Sequence, residues 1–94
     1  MPRITAVRAL EPFSVWLRFA DGRNGSVALD DIFAQGGVFE PLRDPAEFAK
    51  VRVEREFGTI EWPGPTGSDP VDLDPDVLYA KLSGLPVEAV WKLG

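Results

Sequence analysis

The chain has no cysteine and no histidine. Without cysteine there is no disulfide framework and no thiolate nucleophile. Without histidine the commonest general base and the commonest metal ligand are missing together. Composition alone therefore excludes zinc fingers, Ser-His-Asp triads, Cys-His pairs and haem held by histidine. No apolar run approaches the length needed to cross a bilayer, and Met1-Pro2-Arg3-Ile4 is not followed by the apolar stretch of a signal peptide. Nor is there a Lys/Arg-rich run: Arg3, Arg8, Arg18, Arg23, Arg43, Arg52 and Arg55 are spread along the chain. The expectation is a cytoplasmic protein with no membrane association. The reading leans away from an enzyme and assigns no catalytic residue, metal ligand or cofactor.

What is present is an ordinary globular balance. The chain is 94 residues long, 45% apolar and 27% charged, with a net charge of −5. That is the length of a single domain, residues 1–94. A chain this short buries roughly 60–65% of the surface its unfolded form exposes. Its net stability is on the order of 5–10 kcal/mol, with little margin for a deep, strained active site. An acidic chain repels phosphate backbones unless its basic residues gather on one face, so nucleic acid is not an expected partner of this chain on its own.

Periodicity gives the elements. Residues Ile4 to Leu10 read as a strand, followed by a turn at Glu11-Pro12. Phe13, Val15, Leu17 and Phe19 recur at every second position, with Ser14, Trp16 and Arg18 on the other side, the clearest strand in the chain. Asp21-Gly22 is a hairpin turn, and Val27 and Leu29 continue as a short third strand. Asp30-Asp31 is suited to cap a short helix through Ile32 and Phe33 that Gly36-Gly37 ends. Val38, Phe39 and Leu42 then run over the core. Asp44-Pro45 starts a turn or two of helix, with Glu47 at the capping-box position. Lys50 to Glu56 and Thr59 to Trp62 pair as a hairpin about Gly58. Residues 63–70, with three prolines and two glycines, are a loop. Asp74-Pro75 starts a helix that Gly84 stops. The predicted fold is α+β: a mostly antiparallel sheet, comprising a three-stranded meander and a two-stranded hairpin, with two or three short helices. The tail, residues 83–94, is left unassigned.

Each candidate site competes with a simpler role. Asp72, Asp74 and Asp76 have the spacing of the first half of an EF-hand loop, but Val77 stands where the sharp-turn glycine belongs and Ser83 where the bidentate glutamate belongs. A cap at Asp74 and a favourable charge at Asp76, near the positive end of the helix, account for them. Asp21, Asp30 and Asp31 are better explained by turns and caps than by acid–base chemistry. Neither Gly36-Gly37 nor the Gly64 to Gly67 loop carries the lysine and Ser/Thr of a phosphate-binding loop. Trp16 lies opposite the apolar set, in the same outward series as Arg18. Trp beside Arg is the usual composition of a protein-interface anchor and can also stack nucleic-acid bases. The competing reading is that a helix, or the Val90/Trp91 tail, covers this face. Trp62 shares a face with Ile60 and suits the core.

The stretches Leu17-Arg18-Phe19-Ala20-Asp21-Gly22, Phe39-Glu40-Pro41-Leu42-Arg43-Asp44 with Phe48, Gly58-Thr59-Ile60-Glu61-Trp62-Pro63 and Asp72-Leu73-Asp74-Pro75-Asp76-Val77-Leu78-Tyr79 occur in this order. In order and spacing the chain resembles the domain-of-unknown-function family 2442 over residues 4 to about 80. The resemblance implies a small bacterial α+β domain, sometimes joined to a helix-turn-helix DNA-binding domain. Members are often encoded beside another short protein, which has prompted toxin–antitoxin suggestions. It carries over no catalytic residue.

Three functions follow as expectations. The first is a protein-interaction or regulatory module, antitoxin-like, whose partner is the product of a neighbouring gene, with Trp16, Arg18 and Trp91 as contact residues. A homodimer through Trp16 or the tail is compatible with it. The second is a small-molecule site or accessory enzyme in a groove near Trp62, Pro63 and Asp69. The third is a nucleic-acid-associated domain.

Overall fold

Alternation places Val15, Leu17 and Phe19 on one side of an extended strand. In the structure, a computed structural model that describes residues 2–11, 13–64 and 69–92, all three are buried. Strands β1 (Ile4–Leu10), β2 (Ser14–Phe19) and β3 (Asn24–Ala28) form an antiparallel meander in the order β1-β2-β3. Val7 stands opposite Leu17, and Val15 is flanked by Ala9 and Val27. The β2–β3 turn uses Asp21-Gly22 as expected. Gly22 takes φ 91°, open to glycine at little cost, and the Asp21 carboxylate accepts from the Arg23 N–H at 2.9 Å. Leu29 is buried just beyond β3 rather than within it.

The second sheet has three strands, not the expected two: β4 (Arg52–Glu54), β5 (Thr59–Trp62) and β6 (Val71–Leu73), antiparallel in that order. Strand β6 has only three residues, too few for a period of two to register, and Pro70 and Asp74 flank it. Its pairing places Leu73 beside Ile60 on the core side, and the Thr59 hydroxyl donates to the Leu73 carbonyl.

The two sheets meet along β1 and β4. The Ile4 N–H donates to the Gly58 carbonyl at 2.7 Å. Gly58 has φ 70°, and a Cβ there would lie 2.8 Å from the Arg3 Cβ and 3.1 Å from its Cα. Only glycine allows the two backbones this approach. The Arg3 guanidinium extends over the same turn and donates to the Arg55 carbonyl at 2.5 Å.

Helices α1 (Asp30–Phe33), α2 (Pro45–Phe48), α3 (Pro75–Ser83) and α4 (Val87–Trp91), with a 3-10 stretch at Gly37–Arg43, complete the chain. Two of the three expected caps form. Asp44 accepts from the Ala46 N–H, Asp74 accepts from the Asp76 N–H, and Pro45 and Pro75 start their helices. The cap expected from Asp30-Asp31 does not form. Leu29 occupies the N-cap position, and both carboxylates lie within the first turn, where they face the positive helix end without bonding it. Glu47 does not close a capping box either; its carboxylate pairs with the Lys50 ammonium at 3.0 Å. The expected tail becomes α4, which packs on α3 through Val90, 1% exposed. Pro12 of the first turn, residues 65–68 of the loop, the Val38 side chain, and Leu93 and Gly94 lie outside what is described.

One core joins both sheets to the helices. Trp62 is fully buried, as its alternation with Ile60 predicts, and its Nε1–H donates to the Phe48 carbonyl at 2.9 Å. Phe33 and Phe48 pack against it, and Phe13 and Phe39 join the cluster through them, mostly edge-to-face with centroids 5.3–6.0 Å apart. That spacing is favourable for aromatic quadrupoles. Phe13, expected to begin the β2 alternation, stands outside the strand: it has φ 59°, a left-handed conformation rare for an aromatic residue, and its carbonyl accepts from the Leu29 N–H at 2.7 Å.

Candidate interaction surface

The inner side of the meander faces the helices. Tyr79 of α3 packs edge-to-face on Phe19 at 4.9 Å, and Leu82 reaches so close to Gly25 that a Cβ there would sit 2.7 Å from its Cδ1. Charged groups hold α3 in place. The Tyr79 hydroxyl donates to Asp21 Oδ2 at 2.7 Å, the Arg23 guanidinium lies 5.4 Å from the Tyr79 ring centre, and Lys81 pairs with Asp31 at 2.7 Å. The Tyr79 hydrogen bond, then that from the Arg23 N–H, hold the Asp21 carboxyl below its ordinary value. The same bond raises the Tyr79 phenol, and Lys81 lowers Asp31. These groups fasten a helix to a turn.

The outer side of the meander is different. Register places Arg8, Trp16 and Ser26 in one row, Leu10, Ser14 and Ala28 in the next, and Ala6, Arg18 and Asn24 in the third. Arg8, Leu10, Arg18, Asn24, Ser26 and Ala28 are exposed and Trp16 is half-buried. No carboxylate occupies any of these nine strand positions, in a chain of net charge −5. Arg18 is steadied by Thr5, whose hydroxyl donates to the Arg18 carbonyl at 3.2 Å and accepts from its Nε at 3.4 Å.

Two grooves share Leu10 of this face. A small one, about 200 Å³, lies among Arg8, Leu10 and Trp16. A larger one, about 630 Å³ and open on one side, runs between Ala9, Leu10 and Phe13 on the strand side and Pro45, Phe48 and Ala49 on the α2 side. Its charged lining groups are Glu11 and Arg43. A third groove, about 590 Å³, follows the β1–β4 seam past Arg3, Arg52 and Arg55. Two of its three cations are already engaged, Arg3 by backbone carbonyls and Arg52 by Glu61 at 2.7 Å.

The structure thus places Trp16 and Arg18 on one face. It does not bring Trp91 to them. Trp91 is 60% exposed on α4, which packs on α3, so the tail does not cover Trp16 among the described residues. Trp62, Pro63 and Asp69 do not line any of the three grooves: Trp62 is core, Pro63 half-buried and Asp69 exposed. Among the described residues no group of three carboxylates is placed to hold a metal ion, and no helix is long and apolar enough to cross a membrane. Sequence reasoning missed Arg8, Leu10 and the groove against α2. The signal available for Arg8 was its pairing opposite Trp16, which requires the register of β1.

These features define a small α+β domain, built from two three-stranded antiparallel sheets with helices on one side and an open sheet face on the other. The chain belongs to the family described as "Protein of unknown function (DUF2442)", whose model matches residues 4–84. The sequence stretches quoted above are accordingly parts of its shared fold. No curated protein matches the chain. Among solved structures it is similar to the "Putative DNA Binding Protein NE0471" of Nitrosomonas europaea ATCC 19718, at 28% identity and a TM-score of 0.73. The match covers 89% of this chain and 50% of that one, so this chain corresponds to about half of that protein.

Proposed function

We propose that the domain is a protein-interaction module that docks an acidic partner on the outer face of its β1-β2-β3 sheet. The observation carrying this reading is the half-exposed Trp16 indole, set between Arg8 and Ser26 and next to Arg18, on a sheet face with no carboxylate of its own. Trp and Arg are the residues most enriched where binding energy concentrates. Two like charges flanking an aromatic ring favour a partner of the opposite sign. The regulatory, antitoxin-like role implied by the family resemblance is consistent with such a surface, and the product of a neighbouring gene is the first partner to test.

The test is site-specific photo-crosslinking in the native host. A photoreactive phenylalanine analogue at Ser26, exposed and paired with Trp16 across the strands, should trap one partner reproducibly. The same analogue at Asp72, on the other sheet, should not. Equal yields at the two positions would refute the docking face.

A second reading is favoured by the name of the Nitrosomonas europaea relative and by the chemistry of Trp16. Indole and guanidinium together can stack on unpaired bases and neutralise phosphates. On this reading, affinity for a fluorescent single-stranded oligonucleotide falls steeply as salt rises. Negligible affinity at low salt removes it.

A further inference from the structure

We infer that the groove between the β1–β2 turn and α2 is the pocket in which the partner buries one large apolar side chain, with the partner's acidic residues lying towards Arg8 and Arg18. This inference rests on the docking face proposed above and adds where its affinity is concentrated.

Leu10, 38% exposed, lines both the large groove and the small one beside Trp16. Leu10 thus stands between the indole and the apolar lining made by Phe13, Pro45, Phe48 and Ala49. A groove of about 630 Å³ with a mainly apolar lining has room for a large side chain anchored on a larger molecule, as hot-spot pockets at interfaces do.

Charge sets the direction. At the groove, Arg43 is paired with Glu40 at 3.4 Å and also donates to the Phe33 carbonyl, while Glu11 lies on the strand side. That end has no unbalanced positive charge. On the sheet, Arg8 and Arg18 stand without a carboxylate beside them at any strand position. A partner segment suited to both ends carries its apolar anchor at α2 and its carboxylates over Trp16. An unmodified single strand of nucleic acid has no side chain of this kind.

The shape of Phe13 supports the assignment. On a left-handed backbone, its ring packs against Phe33 and Phe48, at 5.3 and 6.0 Å, and lines the groove. Backbone strain held in place by surrounding packing is often found at binding surfaces.

The test selects random linear peptides displayed on phage against the full chain. The expected consensus is one large apolar residue beside Asp or Glu, and affinity for the consensus peptide should fall about tenfold or more in Ala49→Trp. Ala49 is exposed at the end of α2, so this variant fills the groove from outside, and Leu10→Glu provides an independent variant at the shared wall. Unchanged thermal midpoints show that both are folded. Arg18→Glu should weaken the same peptide, and Asp72→Lys should leave it unchanged. Binding that depends on Trp16 and Arg18 but not on Ala49 or Leu10 overturns the groove and leaves the docking face standing. Failure to select any peptide, or binding only of single-stranded oligonucleotides, overturns both.

Discussion

The Tyr79 hydroxyl and the Asp21 carboxylate meet at 2.7 Å across 58 residues of sequence, joining helix α3 to the β2–β3 turn. Both belong to the family-like stretches, Asp21 in Ala20-Asp21-Gly22 and Tyr79 at the end of Asp76-Val77-Leu78-Tyr79. Each has a local role, one in a turn and one on a helix. Their contact ties the helix to the turn beside the packing of Tyr79 on Phe19.

The contact predicts a pH profile. The folded-state pKa of Asp21 is lowered, so its contribution to stability is present above the ordinary carboxylate value of 3.8 and is lost as pH falls through the lowered one. Asp31, lowered by Lys81, acts in the same direction. The folded-state pKa of Tyr79 is raised, so its contribution is present below the ordinary value of 10.0 and is lost as pH rises through the raised one. Urea midpoints measured against pH should form a plateau that falls below about pH 4 and above about pH 10. Tyr79→Phe should lower the plateau and remove the tyrosine's share of the alkaline fall.

Gly58→Ala tests the sheet seam. The left-handed backbone conformation costs a non-glycine residue on the order of 1–3 kcal/mol, and the new Cβ must displace the Arg3 backbone. For a domain of this size each kcal/mol lowers the melting midpoint by about 4–8 °C. A midpoint unchanged within error in a calorimetric scan would contradict the seam.

Asp74→Ala and Asp72→Ala separate a cap from a bystander within one acidic cluster. Asp74 accepts from the Asp76 N–H at 2.9 Å, and its loss should cost about 1 kcal/mol. Asp72 is exposed on β6, and its replacement should change stability by about 0.5 kcal/mol or less. Chemical denaturation of the two variants side by side reads the difference.

Phe13→Gly sets strain against packing. Glycine relieves the left-handed strain, of order 1–3 kcal/mol, while removal of an aromatic ring from a core costs about 3–5 kcal/mol. The variant should be destabilised, but by less than Phe13→Ala, which removes the same ring and keeps a side chain on the left-handed backbone. Equal losses would mean that the backbone at Phe13 stores nothing.

Much of the fold was legible because the relevant signals are local. The alternation through Val15, Leu17 and Phe19, the two Asp-Pro helix starts and the Asp21-Gly22 turn each occupy a few consecutive residues, and each formed. Strand β6 was not legible, since three residues do not make a period and only pairing with β5 defines them. The Asp30-Asp31 cap failed because Leu29 is drawn into the core and takes the N-cap position itself. Trp16 was legible as an outward aromatic residue. Its neighbourhood was not: Arg8 and Leu10 join it through the register of β1, and the adjoining groove is lined in part by Phe13, whose left-handed backbone no propensity foretells.

The backbone contact between Ile4 and Gly58 also limits how this protein can be approached. At Ile4 the turn that follows β4 occupies the edge of the first sheet, so an added strand cannot pair there. Further along, past Thr5 to Val7, a groove of about 590 Å³ separates the two sheets, and only the start of β1 is protected in this way.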